Sequence, residues 1–175
     1  MTRPAILTTI GLAALALAAC GTSAPEAPPA CPTALVLQGA ERTASYSPGA
    51  ERMPDALRHL AVMTNLASGC RFGTDGVDLD LAFDLIAERG PASSAGAVDL
   101  SYFVATIGPE RQILSKQLFT SEIPFAGNED RAGVNEQLTL RLPAVTPEQG
   151  SAYAIYLGFQ LDEAELEERM QPLLR

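Results

Sequence analysis

The sequence is poor in the residues that carry most enzyme chemistry and in those that stack on sugars. It contains no tryptophan, one histidine (His59) and only 6% aromatic residues. Sugar-binding sites rely on stacking against aromatic rings, so this composition argues against carbohydrate recognition. A Ser-His-Asp or Cys-His catalyst would have to use His59, and the sequence has no Gly-X-Ser-X-Gly nucleophile motif and no glycine-rich phosphate loop. It therefore predicts no catalytic residues and no cofactor.

Basic residues are also scarce. Lysine and arginine together number 12 against 21 aspartates and glutamates, which gives a formal net charge of −9. Nucleic acids and anionic lipid surfaces are bound through clustered positive charge, so the excess of negative charge argues against both as ligands.

No apolar run reaches the roughly 20 residues that a bilayer-spanning helix needs. Residues 4–19 form an uncharged run that follows Arg3 and ends in Leu17-Ala18-Ala19-Cys20-Gly21. A basic N-terminus, a short apolar run and small residues at its end are typical of a secretory signal peptide. The alternatives are an uncleaved anchor, or an ordinary signal followed by a chance cysteine.

The end of this run resembles the lipobox of bacterial lipoproteins. The resemblance implies transfer of diacylglycerol to the Cys20 thiol, cleavage after Ala19 and acylation of the new amino group. Gly21 stands where an aspartate would favour retention in the inner membrane. The resemblance therefore implies an outer-membrane lipoprotein of the cell envelope that faces the periplasm, with the lipid bilayer as its first partner.

The rest of the chain has the size of one domain. Without residues 1–19, 156 of the 175 residues remain, and the loss of Arg3 changes the net charge from −9 to −10. Residues 21–30 have no large apolar side chain and cannot bury enough surface to become ordered, so residues 20–30 are predicted to be a lipidated cysteine and a flexible tether. The domain is predicted to span residues 31–175.

Two cysteines remain in this domain, Cys31 and Cys70. The periplasm is oxidising, and an even number of cysteines in an exported domain predicts a disulfide. A redox-active or metal-binding pair is the alternative, although neither cysteine belongs to a Cys-X-X-Cys motif.

Apolar and polar residues alternate along most of the domain, which predicts β-strands. The clearest segments are residues 77–85, 98–107, 111–119, 138–142 and 153–161. Together with residues 33–37 and 60–72, they predict an all-β, immunoglobulin-like antiparallel sandwich of about seven strands. Residues 162–165, Asp-Glu-Ala-Glu, resemble a helix capping box and predict a short C-terminal helix that ends near Met170.

Within residues 60–72, five residues share one parity and are predicted to face the core: Leu60, Val62, Leu66, Cys70 and Phe72. A helical turn within residues 55–63 is the alternative, because leucines there also have helical spacing. Residues 39–52 are interpreted as a polar loop.

Four aspartates lie close together in the sequence: Asp75, Asp78, Asp80 and Asp84. Calcium needs six to eight oxygen ligands from a curved loop, whereas Asp78, Asp80 and Asp84 are spread along one strand face. The sequence therefore predicts a solvated acidic face and no metal site, with calcium at the turn 74–78 as the alternative.

Large apolar residues also occur outside the predicted core positions. Phe103 and Ile107 have the opposite parity to Val98 and Leu100, and Phe119 and Phe125 lie near a loop. These four residues, Phe103, Ile107, Phe119 and Phe125, are a candidate interaction patch. Burial in a central strand is the alternative.

Several short segments together resemble the small uncharacterised lipoproteins of alphaproteobacteria: residues 89–91 (Arg-Gly-Pro), 102–105 (Tyr-Phe-Val-Ala), 124–125 (Pro-Phe) and 158–161 (Gly-Phe-Gln-Leu). This resemblance implies an envelope location and no activity. We therefore expect a non-enzymatic lipoprotein that acts through an envelope protein partner, as an accessory subunit of an envelope assembly. A periplasmic lipoprotein that binds a small ligand or a metal is the alternative.

Overall fold

The computed structural model describes residues 30–170. The predicted signal peptide, Cys20 and residues 171–175 lie outside the described residues. Within them, no helix is long and apolar enough to cross a membrane. The described residues form eight strands and one α-helix: β1 (Thr33–Val36), β2 (Arg42–Tyr46), β3 (Leu57–Gly73), β4 (Gly76–Arg89), β5 (Ala97–Ile107), β6 (Ile113–Pro124), β7 (Arg131–Pro143), β8 (Ala154–Phe159) and α1 (Glu163–Met170).

The strands form two four-stranded sheets packed face to face. Sheet I has the order β1-β8-β5-β6, and sheet II has the order β2-β3-β4-β7. Every pair is antiparallel except β1 and β8, which run parallel. The predicted all-β sandwich with a short C-terminal helix is confirmed, with eight strands instead of about seven. The likeness to immunoglobulin domains is one of architecture, because their last two strands share a sheet whereas β7 and β8 lie in different sheets.

The core lies between the sheets and follows the alternation in the sequence. In β4 every second side chain is buried, and the same holds for β5 and β8. Because each fully buried aliphatic or aromatic side chain stabilises the fold by about 1.5–3 kcal/mol, these three strands supply most of the apolar stabilisation. Their fully or almost fully buried members include Val77, Leu79, Phe83, Leu85, Leu100, Tyr102, Ile155, Leu157 and Phe159.

Strand β3 departs from the predicted pattern because it contains a bulge. The register with β4 shifts between Thr64 and Ala67, and Asn65 adopts a left-handed backbone with φ of 55°. A bulge moves all following side chains to the other face of the sheet. Leu66, Cys70 and Phe72 consequently pack against the core.

The predicted core position of Leu60 and Val62 is therefore wrong. Both lie before the bulge on the outer face of sheet II, and Leu60 is 44% exposed. In place of the alternative helical turn within residues 55–63, the structure has a single 3-10 turn at Pro54–Ala56. Strand β3 begins directly after this turn.

Residues 42–46, interpreted from the sequence as part of a polar loop, form the edge strand β2, and helix α1 covers that edge. The Glu165 carboxylate accepts hydrogen bonds from the Thr43 hydroxyl (3.0 Å) and from the Ala44 amide (2.8 Å). Arg169 donates to the Arg42 carbonyl at 2.7 Å. The predicted capping box is confirmed, since the Glu165 amide donates to the Asp162 carboxylate at 2.7 Å. The helix thus satisfies backbone groups that an edge strand otherwise leaves open.

The predicted disulfide between Cys31 and Cys70 is present, with 5.7 Å between the two Cα atoms. It links Cys31, just before β1, to Cys70, near the C-terminal end of β3. The bond therefore joins the two sheets at one end of the sandwich.

Candidate functional site

The outer face of sheet I, turned away from the core, carries a group of mostly apolar residues. The register places Leu35, Tyr156, Ala105 and Lys116 side by side across the four strands. A neighbouring row consists of Gly158, Phe103 and Leu118. We call these seven residues the outer apolar face.

The centre of the outer apolar face is partly covered by its own side chains. The Lys116 ammonium lies 4.7 Å from the centre of the Phe103 ring and donates to the Gln160 side chain at 2.9 Å. Gly158 is buried against Phe103 and Ala40, so closely that a Cβ atom would approach the Ala40 methyl to 2.6 Å. A glycine is therefore required at this position of β8, because Ala40 leaves no room for a side chain.

Strand β6, at the edge of sheet I, is where this face opens to solvent. Leu118 is 63% exposed, Ile113 is 67% exposed and Leu114 is 51% exposed. No strand of the described chain pairs with the free side of β6. An exposed apolar row beside an unpaired strand edge can accept a partner both by side-chain packing and by added backbone hydrogen bonds.

The structure separates the four residues of the predicted interaction patch. Phe103 and Ile107 have the parity of the outer face, as predicted. Phe119 packs between the sheets, with its ring stacked on Tyr102 at 5.4 Å between centroids. Phe125 is buried beneath the Arg89 guanidinium, 4.5 Å from its ring centre. The four residues therefore do not form one surface.

Leu118, Leu114 and Ile113 were missed by the sequence interpretation. A signal was available, since Leu118 and Phe119 are adjacent in the sequence and must point to opposite faces of a strand. Because Phe119 shares the parity of Ile123, which is fully buried, Leu118 had to face outwards.

A polar cluster lies between the sheets close to the free edges of β6 and β7. Glu136 on β7 points inwards and accepts hydrogen bonds from the Tyr102 hydroxyl (3.1 Å) and the Ser121 hydroxyl (2.6 Å). Burial raises the pKa of Tyr102, and the negative charge of Glu136 and its hydrogen bond add to the increase. Tyr102 and Ser121 belong to sheet I, whereas Glu136 belongs to sheet II. Because one carboxylate accepts from both hydroxyls, the cluster joins the two sheets.

A polar cleft of about 410 Å³ contains His59 and lies near the end of the sandwich opposite the disulfide. Burial lowers the pKa of His59, the positive charge of Arg58 lowers it further, and Glu165 opposes both effects. Among the described residues, the imidazole makes no hydrogen bond to a serine, threonine or cysteine that could act as a nucleophile. The lining is mostly polar and includes Tyr46, Arg52, Asp99, Ser101, Gln160 and Asp162.

The predicted acidic face of β4 is built from separate pairs. Asp78 binds Arg141 at 2.7 Å, and Asp80 binds Arg71 at 2.7 Å. Asp84 accepts from the side chains of Asn135 (2.8 Å) and Asn65 (2.7 Å), and these hydrogen bonds lower its pKa. Among residues 30–170, no three histidine, cysteine or acidic side chains are placed to hold a metal ion together, and that includes the turn at Asp75.

Comparison of the chain with protein-family models, with curated protein sequences and with solved structures returned no match. The site is therefore interpreted from its own geometry.

Proposed function

We propose that this chain is an outer-membrane lipoprotein, held on the bilayer through acylated Cys20 and facing the periplasm. In this proposal it is not an enzyme. It acts as an accessory subunit of an envelope assembly and binds an envelope protein through the outer apolar face and the adjoining edge of β6.

Two features support the location. The N-terminal segment resembles a lipoprotein signal in its order, with Arg3 first, then an uncharged run and then Leu17-Ala18-Ala19-Cys20. The disulfide between Cys31 and Cys70 suits an oxidising compartment, since cytosolic proteins rarely keep structural disulfides.

The exposure of Leu118 is the observation on which the binding proposal depends. A leucine that is 63% exposed lies directly beside Phe103, on a strand whose outer edge is unpaired within the described chain. Single exposed leucines are common on protein surfaces, but several exposed apolar side chains grouped along a free strand edge are typical of an interaction site. The outer face of sheet II carries the ion pairs Arg71–Asp80 and Arg141–Asp78 as well as Leu60 and Val62, and its apolar side chains do not lie beside β6.

The test is cross-linking in intact cells of the tagged full chain, followed by mass spectrometry of the membrane fraction. We expect wild-type protein to recover one envelope protein in near-stoichiometric amount, and Leu118→Asp to lose it. The matched control is Leu60→Asp, an exposed leucine on the outer face of the other sheet, which should keep the partner. Recovery of abundant porins alone, or an unchanged yield with Leu118→Asp, would contradict the proposal.

The polar cleft favours a second candidate function, the binding of a small polar ligand. Its volume of about 410 Å³ and its mixture of donors and acceptors suit a metabolite with several hydroxyl or charged groups. A thermal-shift screen of the soluble domain against envelope metabolites and calcium checks it. Ligand at 100 times its dissociation constant adds about 2.7 kcal/mol to the free energy of unfolding. Shifts that stay within error for every compound would remove this candidate.

A further inference from the structure

The chain joins the sandwich at one defined end, which we call the tether end. Cys31, bonded to Cys70, lies there, and the Ala30 carbonyl packs against Gly150. The same end contains the β3–β4 turn at residues 74–75 and the β5–β6 turn at residues 108–112.

Among residues 30–170, two of the most exposed large apolar side chains are at this end. Ile113 and Leu114, the first residues of β6, are 67% and 51% exposed. An open hollow of about 680 Å³ lies next to them and is lined by Ile107, Pro109, Arg111 and Ile113, among others. The tip of the β5–β6 hairpin is thus an apolar surface with a cation beside it.

The backbone of this hairpin turn holds an arginine in a conformation that usually belongs to glycine. Arg111 has φ of 61°, and the turn closes through a hydrogen bond from the Gly108 amide to the Gln112 carbonyl (2.9 Å). The third residue of such a three-residue loop is left-handed, and glycine fits it without strain. The chain instead places a long cationic side chain at the tip.

The distance between the hairpin and the tether is short. The register aligns Thr33, Ala154, Ile107 and Ile113 across the four strands of sheet I. Three inter-strand steps of about 4.8 Å place Ile113 roughly 14 Å from Thr33. The ten residue-to-residue steps from Cys20 to Ala30 can span at most about 35 Å. The hairpin tip therefore stays within reach of the bilayer surface.

From these observations we infer that the β5–β6 hairpin tip contacts the lipid bilayer, with Ile113 and Leu114 inserted at the level of the acyl-chain boundary and Arg111 among the phosphates. The inference rests on the proposed acylation of Cys20. Asp75, Glu110 and Glu148 lie at the same end and oppose attraction to anionic lipid, so apolar insertion supplies the binding and a zwitterionic bilayer suffices. The contact fixes the tether end towards the membrane and presents the outer apolar face to the periplasm.

The absence of tryptophan from the chain makes a direct test available. Leu114→Trp introduces a single fluorescent reporter, and Ile113→Trp provides a second one at the neighbouring, more exposed position. The control is Leu60→Trp on sheet II, at the level of Glu88 near the opposite end of the sandwich. Each full-length, acylated protein is reconstituted into phosphatidylcholine vesicles, with and without bromine atoms on the acyl chains.

We expect the emission of the Leu114→Trp and Ile113→Trp proteins to shift to shorter wavelength on reconstitution and to be quenched by brominated acyl chains. The Leu60→Trp protein should show neither effect. Acylated protein on vesicles with no shift and no quenching at both hairpin positions would overturn this inference while leaving the proposed function in place. If mass spectrometry finds Cys20 without acyl chains and the protein remains off the vesicles, the inference and the proposed location both fail.

Discussion

At the scale of single residues, Glu136 is the least expected feature of the core. It lies on the face of β7 that otherwise carries Leu138, Leu140 and Leu142, a parity visible in the sequence. A charged side chain facing an apolar interior is costly unless its oxygens accept hydrogen bonds, and Tyr102 and Ser121 supply these.

Substitution of Glu136 by alanine should lower the free energy of unfolding by about 1–3 kcal/mol. Tyr102 is 1% exposed, so its hydroxyl would be left without an acceptor inside the sandwich. Urea denaturation followed by circular dichroism measures the change. Glu122→Ala, which removes an exposed acid from the outer face of β6, is the matched control and should change stability little. Equal effects of the two substitutions would show that the inter-sheet cluster does not stabilise the fold.

At the scale of elements, the β2–α1 contact shows how a weak strand is held in place. The five residues of β2 include only one large apolar side chain, Tyr46, and none of the five is fully buried. The strand depends on its pairing with β3 and on Glu165, which is 4% exposed and binds both Thr43 and Ala44.

Replacing Glu165 by alanine should therefore free the edge of β2. We expect hydrogen exchange at the Ala44 amide to become markedly faster and the free energy of unfolding to fall by about 1–3 kcal/mol, since two donors lose their acceptor. Glu163→Ala, an exposed acid of the same helix, is the control and should leave exchange at Ala44 unchanged. Protection of Ala44 that persists in the Glu165→Ala protein would mean that pairing with β3 alone holds the strand.

The same elements show how far the sequence could be interpreted. The alternation of apolar and polar residues was sufficient to predict β4, β5 and β8 and their buried side chains. These strands are central, and each buries one complete face. It failed for Leu60 and Val62, because the bulge at Asn65 reverses the parity and asparagine does not by itself indicate a bulge.

Interpretation of the site was limited by the same physics. Strand β2 was missed because the inward side chains of an edge strand can be as small as Thr43 and Ser45. The predicted patch combined inward and outward side chains because the sequence shows parity within a strand but not how strands are arranged. The meeting of Leu118, Phe103 and Gly158 depends on β8 lying beside β5, a long-range pairing that no local pattern indicates.

At the scale of the whole molecule, the disulfide between Cys31 and Cys70 closes a loop with a sequence separation of 39 residues. The chain-entropy model gives about 4 kcal/mol for a loop of this length. We expect Cys31→Ser combined with Cys70→Ser to lower the free energy of unfolding by up to that amount in urea titrations.

Wild-type protein measured in dithiothreitol is the control for the disulfide prediction, because it should match the double variant. A double variant as stable as oxidised wild type would indicate that the loop is already constrained in the unfolded chain.

The two long sides of the sandwich differ in a way that limits assembly. On one side, β1 has four residues and β2 is covered by α1, whereas on the other side β6 and β7 have 12 and 13 residues with unpaired edges. Fibres that grow by strand addition need two adhesive sides on every subunit, one to receive a neighbour and one to pass the sheet on. A molecule with a single adhesive side ends such growth after one event. Strand β1, with four residues, and β2, covered by α1, offer little edge to a second neighbour, so complexes formed through the sheet edges of the described residues should stop at pairs.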